Sequence, residues 1–223
     1  PGIGPSDYLY LLKQDALPLE PDLVVVQLFM GNDVSAGAPV AGPRRWYDAD
    51  SYLVAIVWYR LQILRRAKPV NVAEGAEPSN RTQAALAVRY PWLTDPLLEH
   101  PALGREVFLQ LELQNALAVC APIDGVYEQF FEMLAAIQHA ARDVPLAFAL
   151  IPDEFQVEDD FWEEIVRKST QPLDRDRPQR LVVEWLKARG GAVLDLLPLL
   201  RAVEPMPDGR RHVYHLQDTH FNA

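Results

Sequence analysis

Three short apolar runs stand out from the rest of the chain. They cover residues 23–29, 145–151 and 192–196 and are rich in Val, Leu and Ala. Continuous apolar runs of this length predict buried strands.

Segments with a helical period lie around these runs. Apolar residues recur every three or four positions in residues 126–141 and 181–189, as on the buried face of a helix. A Gly-Gly pair at 190–191 follows the second segment, where glycines typically end a helix. Near the start of the chain, Gly4-Pro5-Ser6 predicts another helix with Ser6 as its N-cap. Strands alternating with helices predict an α/β fold with three α/β/α layers and a mostly parallel sheet.

The stretch between residues 34 and 144 is too long for a single crossover helix. It carries several helical segments that are interrupted by prolines. We therefore expect one domain over residues 1–223, with a helical insertion at about 44–120. Residues 52–64 of this insertion are apolar and flanked by arginines, but these 13 residues fall short of the roughly 20 that span a bilayer. A buried helix is therefore favoured over membrane contact.

Charge and cysteine content narrow the classes of partner and site. The 223 residues carry 21 Lys+Arg and 31 Asp+Glu, a net charge of −10, which disfavours binding to nucleic acid or to an anionic membrane. The single cysteine, Cys120, cannot form an internal disulfide, and its Ala/Leu/Val-rich surroundings predict a buried structural thiol. No spacing of His, Cys, Asp and Glu suggests a metal site. The acidic run at residues 154–160, with Glu154, Glu158, Asp159 and Asp160, is interpreted as a solvated loop and helix start.

The first predicted strand runs directly into a polar turn, Met30-Gly31-Asn32-Asp33. Open α/β sheets place ligand sites at the carboxyl ends of their strands, so this turn is a candidate site. The alternative is a purely structural Asx turn, in which Asn32 and Asp33 only bond the local backbone.

The end of the chain contains a second candidate, Asp218-Thr219-His220. In an extended or loop segment, residues two apart point to the same side, so the Asp218 carboxylate can reach the His220 ring. Such a contact fixes the imidazole tautomer, as a general base in acyl transfer requires. The alternative is a surface turn with an incidental histidine. His212 and His215 are rival bases, but His215 has no aspartate two positions before it.

Together, these two segments resemble conserved blocks of the SGNH hydrolases, the GDSL-like esterases and lipases. Residues 30–33 are similar to the family's Gly-x-Asn-Asp block, residues 218–220 to its C-terminal Asp–His block, and residues 1–5 to the end of its glycine block. The family usually has Asp-x-x-His, whereas one residue separates the pair here. A similar Asp-x-His followed by an aromatic residue and Asn occurs in polysaccharide-acetylating relatives, which favours a carbohydrate ester as the substrate.

The resemblance implies an ester hydrolase that uses a Ser-His-Asp triad and needs no cofactor. His220 would be the general base, Asp218 its orienting partner, and the Gly2 N–H and Asn32 side-chain amide the oxyanion-hole donors. None of the chain's serines stands in a Gly-Asp-Ser or Gly-x-Ser-x-Gly context; they are Ser6, Ser35, Ser51, Ser79 and Ser169. We therefore expect the nucleophile to lie upstream of Pro1 and the 223 residues alone to be inactive.

Two other functions stay open on the sequence. One is a noncatalytic carbohydrate-binding or scaffold module on the same fold, and the other is an O-acyltransferase. The chain begins at Pro1 without a methionine, so we expect a fragment, and its compartment stays open.

Overall fold

The computed structural model describes residues 4–36, 95–123, 125–218 and 220. Its centre is a parallel sheet of three strands, in the order β1–β2–β3. Strand β1 (Val24–Phe29) pairs along its whole length with β2 (Leu146–Ile151), and β2 pairs with β3 (Ala192–Asp195). The three predicted strands and the α/β fold with a parallel sheet are thereby confirmed. The prediction that the strands are buried was wrong for one face of the sheet, because alternate side chains point to opposite faces and Val25 of β1 and Leu194 of β3 are each 54% exposed.

Helices connect and cover these strands. The α-helices of the described residues are α1 (Pro5–Leu11), α2 (Asp33–Ala36), α3 (Arg105–Cys120), α4 (Val126–Ala140), α5 (Glu154–Val157), α6 (Asp159–Lys168), α7 (Arg177–Ala188) and α8 (Leu197–Arg201). A π-helical turn covers Leu12–Ala16, and 3-10 turns cover Leu17–Leu19 and Pro96–Leu98. The helices predicted in residues 126–141 and 181–189 correspond to α4 and α7. Gly190 follows α7 with a φ of +71°, the left-handed conformation typical of a helix end.

The start of α1 differs from the prediction. Its N-cap is Gly4, whose carbonyl accepts from the N–H groups of Asp7 and Tyr8 at 2.9 and 3.0 Å. Ser6 is exposed within the first turn, so its assignment as the N-cap was wrong. The physical reason is Pro5, whose fixed φ suits the first helical position and starts the helix before Ser6. The Asp7 carboxylate then accepts from the Gly4 N–H at 2.9 Å.

The main core lies on one face of the sheet. Alternate residues of β1 and β2, such as Leu28, Phe148 and Leu150, are buried there. They pack in one cluster with residues of the surrounding helices, which include Phe108, Cys120, Phe130, Leu134, Ile137, Ile165, Val182 and Leu186. Cys120 is fully buried, as predicted, and burial raises the pKa of its thiol above the usual range.

A smaller apolar cluster lies at the carboxyl end of the sheet. Val157, Leu197 and Tyr214 form it, and Phe29 at the end of β1 packs against it. The Tyr214 hydroxyl donates to the Pro152 carbonyl, just after β2, at 2.5 Å. The chain preceding residue 215 is therefore fixed at the edge of the sheet where β1 and β2 end.

Contacts divide the chain into two compact units, residues 1–38 with 90–223 and residues 39–89. The second unit lies outside the described residues, as does the apolar segment at 52–64. The insertion at about 44–120 thus stays a prediction, although α3 at its end belongs to the core of the first unit. No helix in the described part of the chain is both long and apolar enough to cross a membrane.

Candidate functional site

The turn at residues 30–33 continues the end of β1 and is built around Asp33. The Met30 N–H donates to the Ile151 carbonyl at 2.8 Å, which ties the turn to the end of β2. Asp33 is buried and accepts from the Phe29 N–H at 2.8 Å and from the Tyr8 hydroxyl at 3.0 and 3.1 Å. Burial raises the pKa of Asp33 to about 6, although these hydrogen bonds lower it. Asp33 therefore has the structural role that the Asx alternative assigned to this turn.

Asn32 differs from Asp33 because its side chain is exposed. Its carbonyl accepts from the Ser35 N–H at 3.1 Å and from the Ser35 hydroxyl at 2.9 Å, at the start of α2. The backbone of Asn32 is thus fixed while its amide faces solvent. This arrangement suits a donor that must meet a ligand.

Gly31 lies against the buried carboxylate of Asp153. A Cβ on Gly31 would come within 1.8 Å of Asp153 Oδ2 and 2.7 Å of the Phe29 ring. Only glycine fits this position, because any side chain would overlap the carboxylate. The turn therefore has a glycine here because Asp153, which follows β2, approaches its backbone closely.

Asp153 in turn faces a second buried acid, Glu112 of α3. Both side chains are fully buried, and their charges interact. Burial and the neighbouring charge of Asp153 raise the pKa of Glu112 far above its usual range, and burial also raises the pKa of Asp153. Ionising both carboxyl groups would leave two like charges buried, so the raised pKa of Glu112 favours its protonated form beside Asp153.

The structure brings Asp218 and His220 together as the sequence predicted. The His220 Nδ1 atom forms a short hydrogen bond with Asp218 Oδ1, and the His220 N–H donates to the same oxygen at 3.1 Å. Partial burial raises the pKa of Asp218, but the hydrogen bonds from His220 outweigh it and hold that pKa below its usual value. An ionised Asp218 keeps the imidazole proton of His220 on Nδ1, so Nε2 carries a lone pair. The side chain of His220 is 81% exposed, which leaves Nε2 accessible.

Both rival histidines also have carboxylate partners. His212 Nε2 lies 2.8 Å from Asp208 Oδ2, and His215 Nδ1 lies 2.6 Å from Glu99 Oε1. The absence of an aspartate two positions before His215 therefore did not mean that it lacks a carboxylate. Glu99 is distant in sequence, and no local pattern indicated its contact with His215.

The acidic run at residues 154–160 was only partly interpreted correctly. Asp159 and Asp160 are exposed, but Glu154 and Glu158 are buried, so the solvated interpretation was wrong for these two. Their carboxyl groups contact arginines of a later loop: Arg210 pairs with Glu154, and Arg211 pairs with Glu158 at 3.3 Å. The arginines lie far from these glutamates in the sequence, so no local pattern indicated the pairing.

A cleft of about 570 Å³ opens next to these pairs. Charged residues line it, among them Glu154, Glu158, Arg210 and Arg211, together with Arg105 of α3. Asn32, Asp218 and His220 are not among its lining residues. We place the candidate site at the two predicted segments instead, because the orienting contact between Asp218 and His220 is found there.

The structure describes three of the four predicted site residues, Asn32, Asp218 and His220. Asn32 follows β1, and Asp218 and His220 follow Tyr214, which is bound to the residue after β2. The described contacts join Asp218 with His220, and none joins either residue to Asn32. Gly2 lies outside the described residues. Within the described part of the chain, no group of three or more His, Cys, Asp or Glu side chains is arranged to hold a metal ion.

Comparisons of the chain with models of known protein families, with curated proteins and with solved structures give no match.

Proposed function

We propose that this chain supplies the general base and oxyanion-hole donors of an SGNH-type serine hydrolase that cleaves an oxygen ester. His220 is the base, Asp218 orients it, and the Asn32 amide and Gly2 N–H bind the oxyanion. The nucleophilic serine would lie outside the 223 residues, since none of their serines has the required context.

The contact between His220 Nδ1 and Asp218 is the observation that carries this proposal. It leaves the accessible Nε2 able to accept the proton of a serine hydroxyl during attack on the ester carbonyl. The resulting imidazolium returns the proton to the leaving alcohol, and His220 then activates water to release the acid from the acyl-enzyme. Asp218 stabilises the imidazolium in both steps.

Asn32 suits the oxyanion because a primary amide donates hydrogen bonds without adding charge. Its backbone is held by α2 and its amide is free to solvent at the end of β1. A preorganised donor of this kind lowers the barrier because it needs no reorientation as charge develops on the carbonyl oxygen. Removing one such donor costs about 10²–10³ in rate in a comparable enzyme.

An O-acetylated carbohydrate is the proposed substrate class. It rests on the Asp-x-His spacing followed by Phe221 and Asn222. Acetate release from glucose pentaacetate, compared with p-nitrophenyl acetate and p-nitrophenyl butyrate, tests both the alcohol and the acyl chain. A clear preference for the butyrate ester would contradict the acetyl-carbohydrate assignment.

The test uses the complete natural protein that contains this chain, with Asn32→Ala and His139→Ala as the paired variants. His139 is exposed in the last turn of α4 and serves as the control. We expect Asn32→Ala to lower kcat by about 10²–10³ and His139→Ala to leave it unchanged. A wild-type protein without ester hydrolysis, or an Asn32→Ala variant with the wild-type rate, would overturn the proposal.

A further inference from the structure

Glu99 makes two contacts with the loop that carries His220, here called the base loop (residues 215–220). Glu99 follows the 3-10 turn at Pro96–Leu98, and its side chain is 6% exposed. One carboxylate oxygen lies 2.6 Å from His215 Nδ1, and the other accepts from the Leu216 N–H at 3.0 Å. A single carboxylate thereby binds two successive residues of the loop.

Backbone hydrogen bonds strengthen the same attachment. The Ala102 N–H donates to the Leu216 carbonyl at 3.0 Å, and the Leu103 N–H donates to the Gln217 carbonyl at 3.2 Å. The segment between Glu99 and α3 therefore runs along the base loop and holds it by its main chain as well.

The base loop also closes on itself around this attachment. The His215 N–H donates to the His220 carbonyl at 3.1 Å, and the Asp218 N–H donates to the His215 carbonyl at 3.3 Å. Gln217 has a φ of +50°, a left-handed conformation that costs a residue with a side chain some strain. External contacts are needed to keep such a loop in one conformation, and Glu99 supplies the only carboxylate contact to residues 215 and 216 in the described part of the chain.

We propose that Glu99 is a positioning residue for His220. It fixes His215 and Leu216, and through the closed loop it fixes Asp218 and His220. The catalytic consequence rests on the proposed function, whereas the anchoring of the loop does not. A base that is misplaced by about 1 Å costs up to roughly a hundredfold in rate, so the effect should appear in kcat while substrate binding is little changed.

The variants are Glu99→Ala, which removes both contacts, and Glu99→Gln, which keeps the shape and an acceptor for the Leu216 N–H. Glu106→Ala is the matched control, because Glu106 is an exposed carboxylate in the first turn of α3 and its only described partner is Lys168 at 3.4 Å. The complete natural protein is labelled with ¹⁵N in its histidine rings, and the His220 signals are assigned by their loss in His220→Gln.

The expected result has two parts. In Glu99→Ala the His220 ring changes from a single Nδ1–H tautomer to a mixture, and kcat for p-nitrophenyl acetate falls roughly tenfold to a hundredfold with KM changed less than about twofold. Glu99→Gln shows a smaller change in both, and it is the variant measured if Glu99→Ala does not fold. Glu106→Ala matches the wild type.

Two results would overturn the proposal. Unchanged His220 signals in folded Glu99→Ala, or in Glu99→Gln where the alanine variant does not fold, would show that Glu99 does not position the base loop. Loss of activity in His215→Ala equal to that in His220→Ala, with the His220 signals intact, would make His215 and Glu99 the base pair itself. Altered His220 signals in a protein that hydrolyses no ester would support the anchoring and contradict only the proposed function.

Discussion

Some of the contacts that shape the 30–33 turn join residues close together in the sequence, and others join residues far apart. Asp33 accepts from the Phe29 N–H, four positions before it. The sequence had indicated such a local backbone contact as the alternative to a ligand site at this turn. Asp153 and Gly31 are far apart in sequence, and only the pairing of β1 with β2 brings them together. The Asp218–His220 contact was predictable because spacing alone permits it, whereas Glu99–His215 was not.

Gly31→Ala should destabilise the protein. The new methyl group would overlap Asp153 Oδ2, which lies 1.8 Å from the Cβ position, and buried neighbours leave little room for relaxation. Overpacking of this kind costs about 1–3 kcal/mol of unfolding free energy. Denaturant unfolding measures it, with Gly104→Ala as the control because no atom lies within 4 Å of a Cβ there. Equal stability of the two variants would show that Asp153 does not fill this space.

Glu112→Gln should make stability less dependent on pH. The pKa of Glu112 is raised in the folded protein by burial and by Asp153 and Glu154, so above pH about 4.5 the folded state binds a proton that the unfolded state has lost. Stability therefore falls as pH rises, by up to about 1.4 kcal/mol per pH unit for each such proton. Glutamine removes this proton and keeps the size and polarity of the side chain.

Urea unfolding at pH 6.5 and 8.5 tests this prediction. The wild type should lose more unfolding free energy between the two pH values than Glu112→Gln, and the exposed Glu132→Gln should behave as the wild type does. Some pH dependence will persist in Glu112→Gln, because burial raises the pKa of Glu154 to about 8 despite Arg210. An identical pH dependence in wild type and Glu112→Gln would contradict a buried proton held by Glu112.

At the scale of elements, the strands were predictable because each is a short, continuous apolar run. The start of α1 was not, because the fixed φ of Pro5 outweighed the capping preference of Ser6. Glu154 and Glu158 were assigned to solvent because the arginines that pair with them belong to a loop after β3. Helix period and strand length are local properties, but burial of charge depends on which elements meet.

Tyr8 joins α1 to the turn after β1, so Tyr8→Phe tests the packing of these elements. Its hydroxyl donates to the buried Asp33, and removal leaves that carboxylate with fewer donors. We expect a loss of about 1–3 kcal/mol in unfolding free energy. Tyr10→Phe is the control because Tyr10 is 65% exposed. Equal unfolding midpoints for the two variants would rule out a structural role for the Tyr8 hydroxyl.

At the scale of the whole molecule, the fold gathers separate segments at one edge of the sheet. The 30–33 turn follows β1, Asp153 follows β2, and Tyr214, which directly precedes the base loop, is bound to the Pro152 carbonyl after β2. This convergence follows from the parallel sheet that the sequence predicts, because parallel strands end on the same side. The net charge of −10 disfavours a general basic surface for nucleic acid, which stays a prediction from the sequence.

The comparison of His220→Ala with the wild type tests the account most directly. The measurement is kcat/KM for p-nitrophenyl acetate in the complete natural protein, at a pH where both variants are folded. The account predicts a fall of about 10²–10⁴, the contribution of a positioned general base. A His220→Ala variant with the wild-type kcat/KM would contradict the assignment of His220 and Asp218 as the catalytic pair.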